Sequence, residues 1–173
     1  MKKSLQITQT AVLTALLVLL QSVTKAGGQL VTGSCVNGIL AIAALFSGQW
    51  VALIVAILSP FLAFLLGVGP QLLPIVPAIA AGNVVYVLLL YFLCGKKKIP
   101  LWRQATAVGF AALGKSLILY LLVVQLLCHI LPLNEKQITT FTAMFSWPQF
   151  VTAVIGGSIA SLIVPILRKA FRR

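Results

Sequence analysis

Residues 103–129 read RQATAVGFAALGKSLILYLLVVQLLCH, and this stretch decides the fold class. It contains no acidic residue, and past Arg103 its one fixed charge is Lys115, about midway along. A helix of roughly 20 apolar residues crosses the bilayer core, so a run of this length reads as a membrane span with a lysine buried inside it.

The rest of the chain agrees. Of its 173 residues 61% are hydrophobic and 8% charged, whereas soluble domains carry about a quarter charged residues. A soluble fold needs a polar shell that this composition cannot supply. A bilayer removes the need, because the outer surface can face lipid. Six apolar segments can be counted, at about 5–25, 33–47, 49–67, 74–94, 103–129 and 146–168. The second and third are short, and read either as tilted helices or as a hairpin that dips into the membrane and returns. The first follows Lys2 and Lys3 and has the length of a span. With no clean cleavage site after it, it is expected to be a retained helix that also serves as targeting signal.

The net charge of +12 does not indicate nucleic acid, because the charges sit between the apolar runs. Lys2, Lys3, Lys96, Lys97, Lys98, Arg103, Arg168, Lys169, Arg172 and Arg173 all fall at one set of segment ends. Excess Lys and Arg mark cytoplasmic loops, so both termini and the 96–103 loop are expected inside. The fold expected is therefore all-α, an integral membrane bundle of six transmembrane helices forming a single domain over 1–173, with N and C termini cytoplasmic. The outer loops are 26–32, 68–73 and 130–145, rich in Gly and Pro.

Most catalytic chemistry is excluded. Glu135 is the one acidic residue and His129 the one histidine, so no carboxylate pair exists for acid–base work and no cluster has metal-ligand spacing. Gly114-Lys115-Ser116, with Gly109 upstream, copies the letters of a phosphate-binding loop. It lies in an apolar helix with no preceding strand, so the match is read as chance. Cys35, Cys94 and Cys128 are isolated and read as small packing residues. No cofactor is expected. Ion-coupled carriers usually place acidic or histidine groups in the membrane, so active import by this chain would need a partner to supply energy.

The polar residues inside the spans suggest a pocket. A central lysine costs roughly 2.5–3.5 kcal/mol on insertion scales, and no acid lies at the depth of Lys115. It is expected to meet an anionic group on a ligand, the alternative being that it snorkels or is held by carbonyls and water. Ala107, Ala111 and Ala112 share its helical face and allow close packing. Thr10, Thr14, Gln21 and Lys25 form one stripe on the first segment, whose outer end reaches toward the same region. An outward-opening pocket lined by Asn37, Asn83, Tyr86, Lys115 and Gln149, with Lys25 and Gln29 at its outer side, fits this pattern. Each Asn or Gln could instead serve an interhelical hydrogen bond. Trp102 and Trp147 read as interfacial anchors. Ala11 and Ala15 are a small-xxx-small pair, as are Ala52/Ala56 and Gly156/Ala160.

Small size, six helices, both ends inside, the opening Gln6-Ile7-Thr8-Gln9-Thr10-Ala11-Val12-Leu13-Thr14-Ala15, and the Pro77…Gly82-Asn83 stretch together resemble the S components of energy-coupling factor (ECF) transporters. These are the substrate-binding subunits of vitamin importers. The resemblance covers nearly the whole chain. It implies that a vitamin or similar micronutrient is bound at the outer face, under mobile loops, and delivered inward with a T subunit and two ATPases. It also implies that Ala11 and Ala15, matching the family's AxxxA motif, pack on the T subunit, and that residues 27–33 form a lid. The resemblance does not name the substrate; Lys115 and Lys25 favour an anionic one. The competing readings are a self-sufficient secondary transporter or channel and a non-catalytic membrane subunit whose Lys115 anchors a partner's acidic helix.

Overall fold

The computed structural model describes residues 3–95 and 100–171. Lys2, Lys96, Lys97, Lys98, Arg172 and Arg173, which carry much of the orientation argument, lie outside the described residues. Among those described, every regular element is helical.

Helix α1 (Lys3–Thr24) is followed by one tight turn, Lys25–Gly27, and then by α2 (Gly28–Ile42), which widens into a π-type turn at Ala43–Ser47. Together Lys3–Ser47 is a 45-residue apolar helical stretch. At 1.5 Å per residue that is about twice the thickness of a bilayer core, so it cannot cross once as a straight rod. The break is at Gly28, whose φ of +77° lies in the left-handed region that only glycine adopts freely. The chain folds back there, and Thr32 Oγ1 donates to the Thr24 carbonyl at 2.8 Å. Thr8, Thr10, Ser22 and Thr24 return their hydroxyls to carbonyls one turn earlier, so these four hydroxyls are satisfied without water.

Helix α3 (Gln49–Leu65) follows Gly48, and α4 (Ile75–Cys94) starts after Pro74. Helix α5 (Leu101–Leu119) starts after Pro100 and continues through a π-type stretch, Tyr120–Leu127, into the short α6 (Cys128–Ile130). Helix α7 (Glu135–Met144) lies between this end and α8 (Trp147–Ala170). Four apolar helical stretches have the length and composition to cross a membrane: Lys3–Ser47, Ile75–Cys94, Leu101–Ile130 and Glu135–Ala170. Gln49–Leu65 is apolar but shorter. The outward faces carry Ile7, Val12, Leu19, Phe110, Leu117, Leu162 and Ile166, all exposed. An apolar surface this extensive suits lipid, and the chain is a multi-pass membrane protein.

The core is built on the α2–α8 seam. A Cβ on Gly156 would stand 2.5 Å from both the Gly38 nitrogen and the Ser34 carbonyl oxygen, so the two backbones touch. The helices run in the same direction: Gln29 bonds Met144, Asn37 bonds Thr152, and Arg168 donates to the Leu45 carbonyl at 2.7 Å. Around the seam pack Leu17, Leu40, Val55, Tyr86, Leu90 and Val108, all buried. A second cluster, with Ile75, Leu119, Val123, Phe141 and Phe145, fills the space between α4, the far end of the α5 stretch and α7. The Phe171 ring meets Phe46 at 5.8 Å between centroids, and Lys3 lines the same groove as Trp50. Both described chain ends therefore lie at the end of the bundle that holds the Ser47-Gly48-Gln49 turn.

Two expectations change. Residues 28–33 are not a loop but the first turns of α2, because Gly28 reverses the chain at once; the lid expected at 27–33 is helical for nearly all its length. The stretch 130–145, expected as an outer loop, contains α7, started by a capping box in which Asn134 accepts from the Gln137 N–H and the Gln137 side chain accepts from the Asn134 N–H. That Asn-x-x-Gln spacing is visible in the sequence.

Candidate functional site

A cavity of about 230 Å³ opens between α1, α2, α3, α4, α5 and α8, toward the end of the bundle capped by α7. Lys115 stands in its wall although the residue is 3% exposed. It projects from the middle of α5, which approaches its neighbours closely because Ala107, Ala111 and Ala112 on that face are buried and small. Gly109 to Ser116 lie within α5. Their backbone N–H groups are engaged in the helix, so they are not presented to a phosphate as a loop would present them.

The Lys115 ammonium donates to Asn37 Oδ1 at 2.6 Å and to Asn83 Oδ1 at 2.7 Å. Each amide is oriented by its surroundings. Asn37 Nδ2 donates to Thr152 Oγ1 at 3.2 Å, and Thr152 in turn donates to the Gln149 carbonyl. Asn83 Nδ2 donates to the Ala56 carbonyl at 3.4 Å. That carbonyl lacks its helical N–H partner because Pro60, one turn later in α3, has none to give, and Ser59 Oγ also donates to it at 3.5 Å. Each amide thus spends one N–H on the framework and turns its oxygen to the lysine. An ammonium has three donors, and two are engaged here. The charge itself meets no carboxylate: Glu135 is at the start of α7.

Tyr86 lies one layer below. Its hydroxyl donates to the Ala153 carbonyl at 2.8 Å, its ring centroid is 5.6 Å from Lys115 Nζ, and it is fully buried, supporting the ammonium from beneath rather than lining the cavity. Lys25, Gln29 and Gln149 are at the mouth. Lys25 Nζ donates to the Gly67 carbonyl at 2.6 Å, tying the α1–α2 turn to the α3–α4 connection. Gln29 and Gln149 both donate to the Met144 carbonyl, holding α2 and α8 to the end of α7. The structure therefore brings Lys115, Asn37, Asn83, Gln149, Lys25 and Gln29 to one cavity, with Tyr86 behind it.

Ala11 and Ala15 are elsewhere, exposed along an apolar groove between α1 and α3 whose floor includes Ile54, Leu58 and Leu62. The other two small-residue pairs, Ala52/Ala56 and Gly156/Ala160, are buried inside the bundle. The sequence reading did not anticipate Met144 and Phe145, which join the cavity wall from the end of α7. No periodicity could have found them, because they reach the site only through the fold of the connection between α6 and α8.

The site has donors and one buried positive charge but no acid–base pair, and no group of His, Cys, Asp and Glu among the described residues could hold a metal. Neither the curated proteins nor the solved structures compared with the chain give a match. The family model described as "ECF transporter, substrate-specific component" matches residues 5–168, which is nearly the whole chain. The chain belongs to the family of substrate-specific components of ECF transporters.

Proposed function

We propose that this chain captures a small anionic micronutrient of the vitamin class at the outer face of the cytoplasmic membrane, and delivers it inward as one part of an ATP-driven importer. The observation that carries the reading is the Lys115 ammonium, buried in a cavity wall, oriented by two amide oxygens and left without a counter-charge. A buried cation with an uncommitted donor attracts an anion strongly, because little water competes for it.

In this proposal residues 1–173 form one transmembrane substrate-binding domain with six crossings, the short α3 included. Both termini face the cytoplasm and the cavity opens outward. Lys115, Asn37 and Asn83 hold the ligand's anion, with Tyr86 beneath them. Lys25, Gln29 and Gln149 bond the mouth and release it when the ligand enters or leaves. Family membership supports association with a T subunit and two ATPases. The outward-facing Ala11/Ala15 pair supplies the surface on which a T-subunit helix packs, since small residues let helix backbones approach closely.

The test is native mass spectrometry of the gently purified protein, followed by organic extraction of what it holds. A bound small anion, released on denaturation and rebound with high affinity, is the expected result. A neutral or cationic ligand would refute the anionic reading.

A further inference from the structure

Four buried side-chain atoms have no hydrogen-bond partner among the described residues: Gln9 Oε1, Thr14 Oγ1, Gln21 Oε1 and Ser47 Oγ. Of these residues, Gln21 alone lines the cavity that contains Lys115. It is 8% exposed, and it lies on α1 with the fully buried Leu17 one turn before it and Lys25, bonded to the Gly67 carbonyl, one turn after. An unpaired buried amide is costly, and native structures rarely retain one without a use. The amide oxygens of Asn37 and Asn83 in the same cavity are engaged with Lys115, and each amide nitrogen makes one bond to the framework. The amide oxygen of Gln21 is not engaged.

We infer that Gln21 is a second recognition point in the cavity, and that the ligand is a small hydroxy acid, with its anion on Lys115 and a hydroxyl on the Gln21 amide. This rests on the anionic reading proposed above. A hydroxyl is donor and acceptor at once, so it serves the amide whichever end faces the cavity. The volume of about 230 Å³ is below the roughly 300–1,000 Å³ of pockets for drug-sized ligands, which limits the ligand to a compact molecule. Apolar side chains, among them Val36, Pro60, Val76 and Ile79, make up much of the remaining wall, beside the hydroxyls of Thr32 and Ser59.

The experiment measures equilibrium binding to the full-length purified protein in nanodiscs. The probes are ω-hydroxy acids of increasing chain length, the unsubstituted acids of matched length, and the matching diols. At the best length the wild type is expected to prefer the hydroxy acid over the plain acid by about tenfold, the order of one hydrogen bond to an otherwise unpaired buried group. Gln21→Leu, which removes an unpaired polar group and should fold, is expected to erase that preference while leaving affinity for the plain acid unchanged. Gln21→Asn, which keeps an amide but shortens its reach, is expected to reduce the preference as well. Equal binding of hydroxy and plain acids to the wild type would overturn the role of Gln21 and leave the anionic reading standing. Diols binding as well as hydroxy acids would overturn the anionic reading and this inference with it. If no hydroxy acid binds even at millimolar concentration, the ligand class is wrong.

Discussion

Replacing Lys115 with methionine separates folding from binding more cleanly than any other single change. Two effects on stability oppose each other. Loss of the ammonium relieves an insertion cost of roughly 2.5–3.5 kcal/mol. It also strands the oxygens of Asn37 and Asn83, which the lysine satisfies at 2.6 and 2.7 Å, at about 1–3 kcal/mol each. The terms nearly cancel, and methionine fills similar space, so the melting temperature is expected to move by less than about 5 °C for a chain of this size. Binding has no such compensation. A charge-assisted hydrogen bond to a ligand anion is worth about 1.5–3 kcal/mol, so affinity for the ligand recovered from the wild type should fall roughly ten- to a hundredfold. Asn37→Leu works in the opposite sense. It keeps the charge, removes one acceptor and leaves Thr152 without its donor, so it is expected to destabilise by about 3–5 kcal/mol, as stripping a partner from a buried charge does. The Asn37→Leu/Lys115→Met double variant should be more stable than Asn37→Leu alone, a coupling that a double-mutant cycle measures directly. Thermal unfolding in detergent and isothermal titration are sufficient assays. Unchanged affinity in a folded Lys115→Met protein, or an Asn37→Leu variant no less stable than Lys115→Met, would refute the argument.

Other consequences can be checked separately. Gly156→Ala forces a methyl into the Gly38 and Ser34 backbones and should destabilise by at least about 1–3 kcal/mol, measured by thermal unfolding; a neutral result would mean that the α2–α8 seam is looser than described. Ala11→Trp and Ala15→Trp should leave ligand binding intact but abolish ATP-dependent uptake in vesicles, and persistent uptake would remove that face from the coupling interface. A cysteine placed at Asn134 should react with impermeant maleimide from outside intact cells, while one placed at Arg103 should react only after permeabilisation; the reverse pattern would invert the proposed topology.

Much of the candidate site was legible because a membrane makes polar residues conspicuous. Lys115, Asn37, Asn83 and Gln149 stand out in apolar helices where every polar group needs a reason. What they do with one another was not legible. The sequence left Lys115 between a ligand anion and carbonyl partners, and the structure gives it two side-chain amide oxygens, from residues 78 and 32 positions away. Tyr86 shares a helical face with Asn83, yet its hydroxyl is bonded to the Ala153 carbonyl beneath the site. Gln21 and Lys25 share one stripe of α1, but Lys25 finds a carbonyl on another segment and Gln21 oxygen does not.

Composition and hydropathy alone determined that the chain is a membrane protein, because 61% apolar and 8% charged residues leave no other solvent for its surface, and the length of the apolar runs made its spans helices. The tertiary structure alone decided three things: that Lys115 meets the amide oxygens of Asn37 and Asn83, that Pro60 leaves the Ala56 carbonyl open to Asn83, and that Ala11/Ala15 remains outside while the other small pairs are buried. The physical reason is common to all three. Periodicity reports which face of a helix is apolar, but a hydrogen bond or a close approach depends on which other helix arrives there, and only packing settles that.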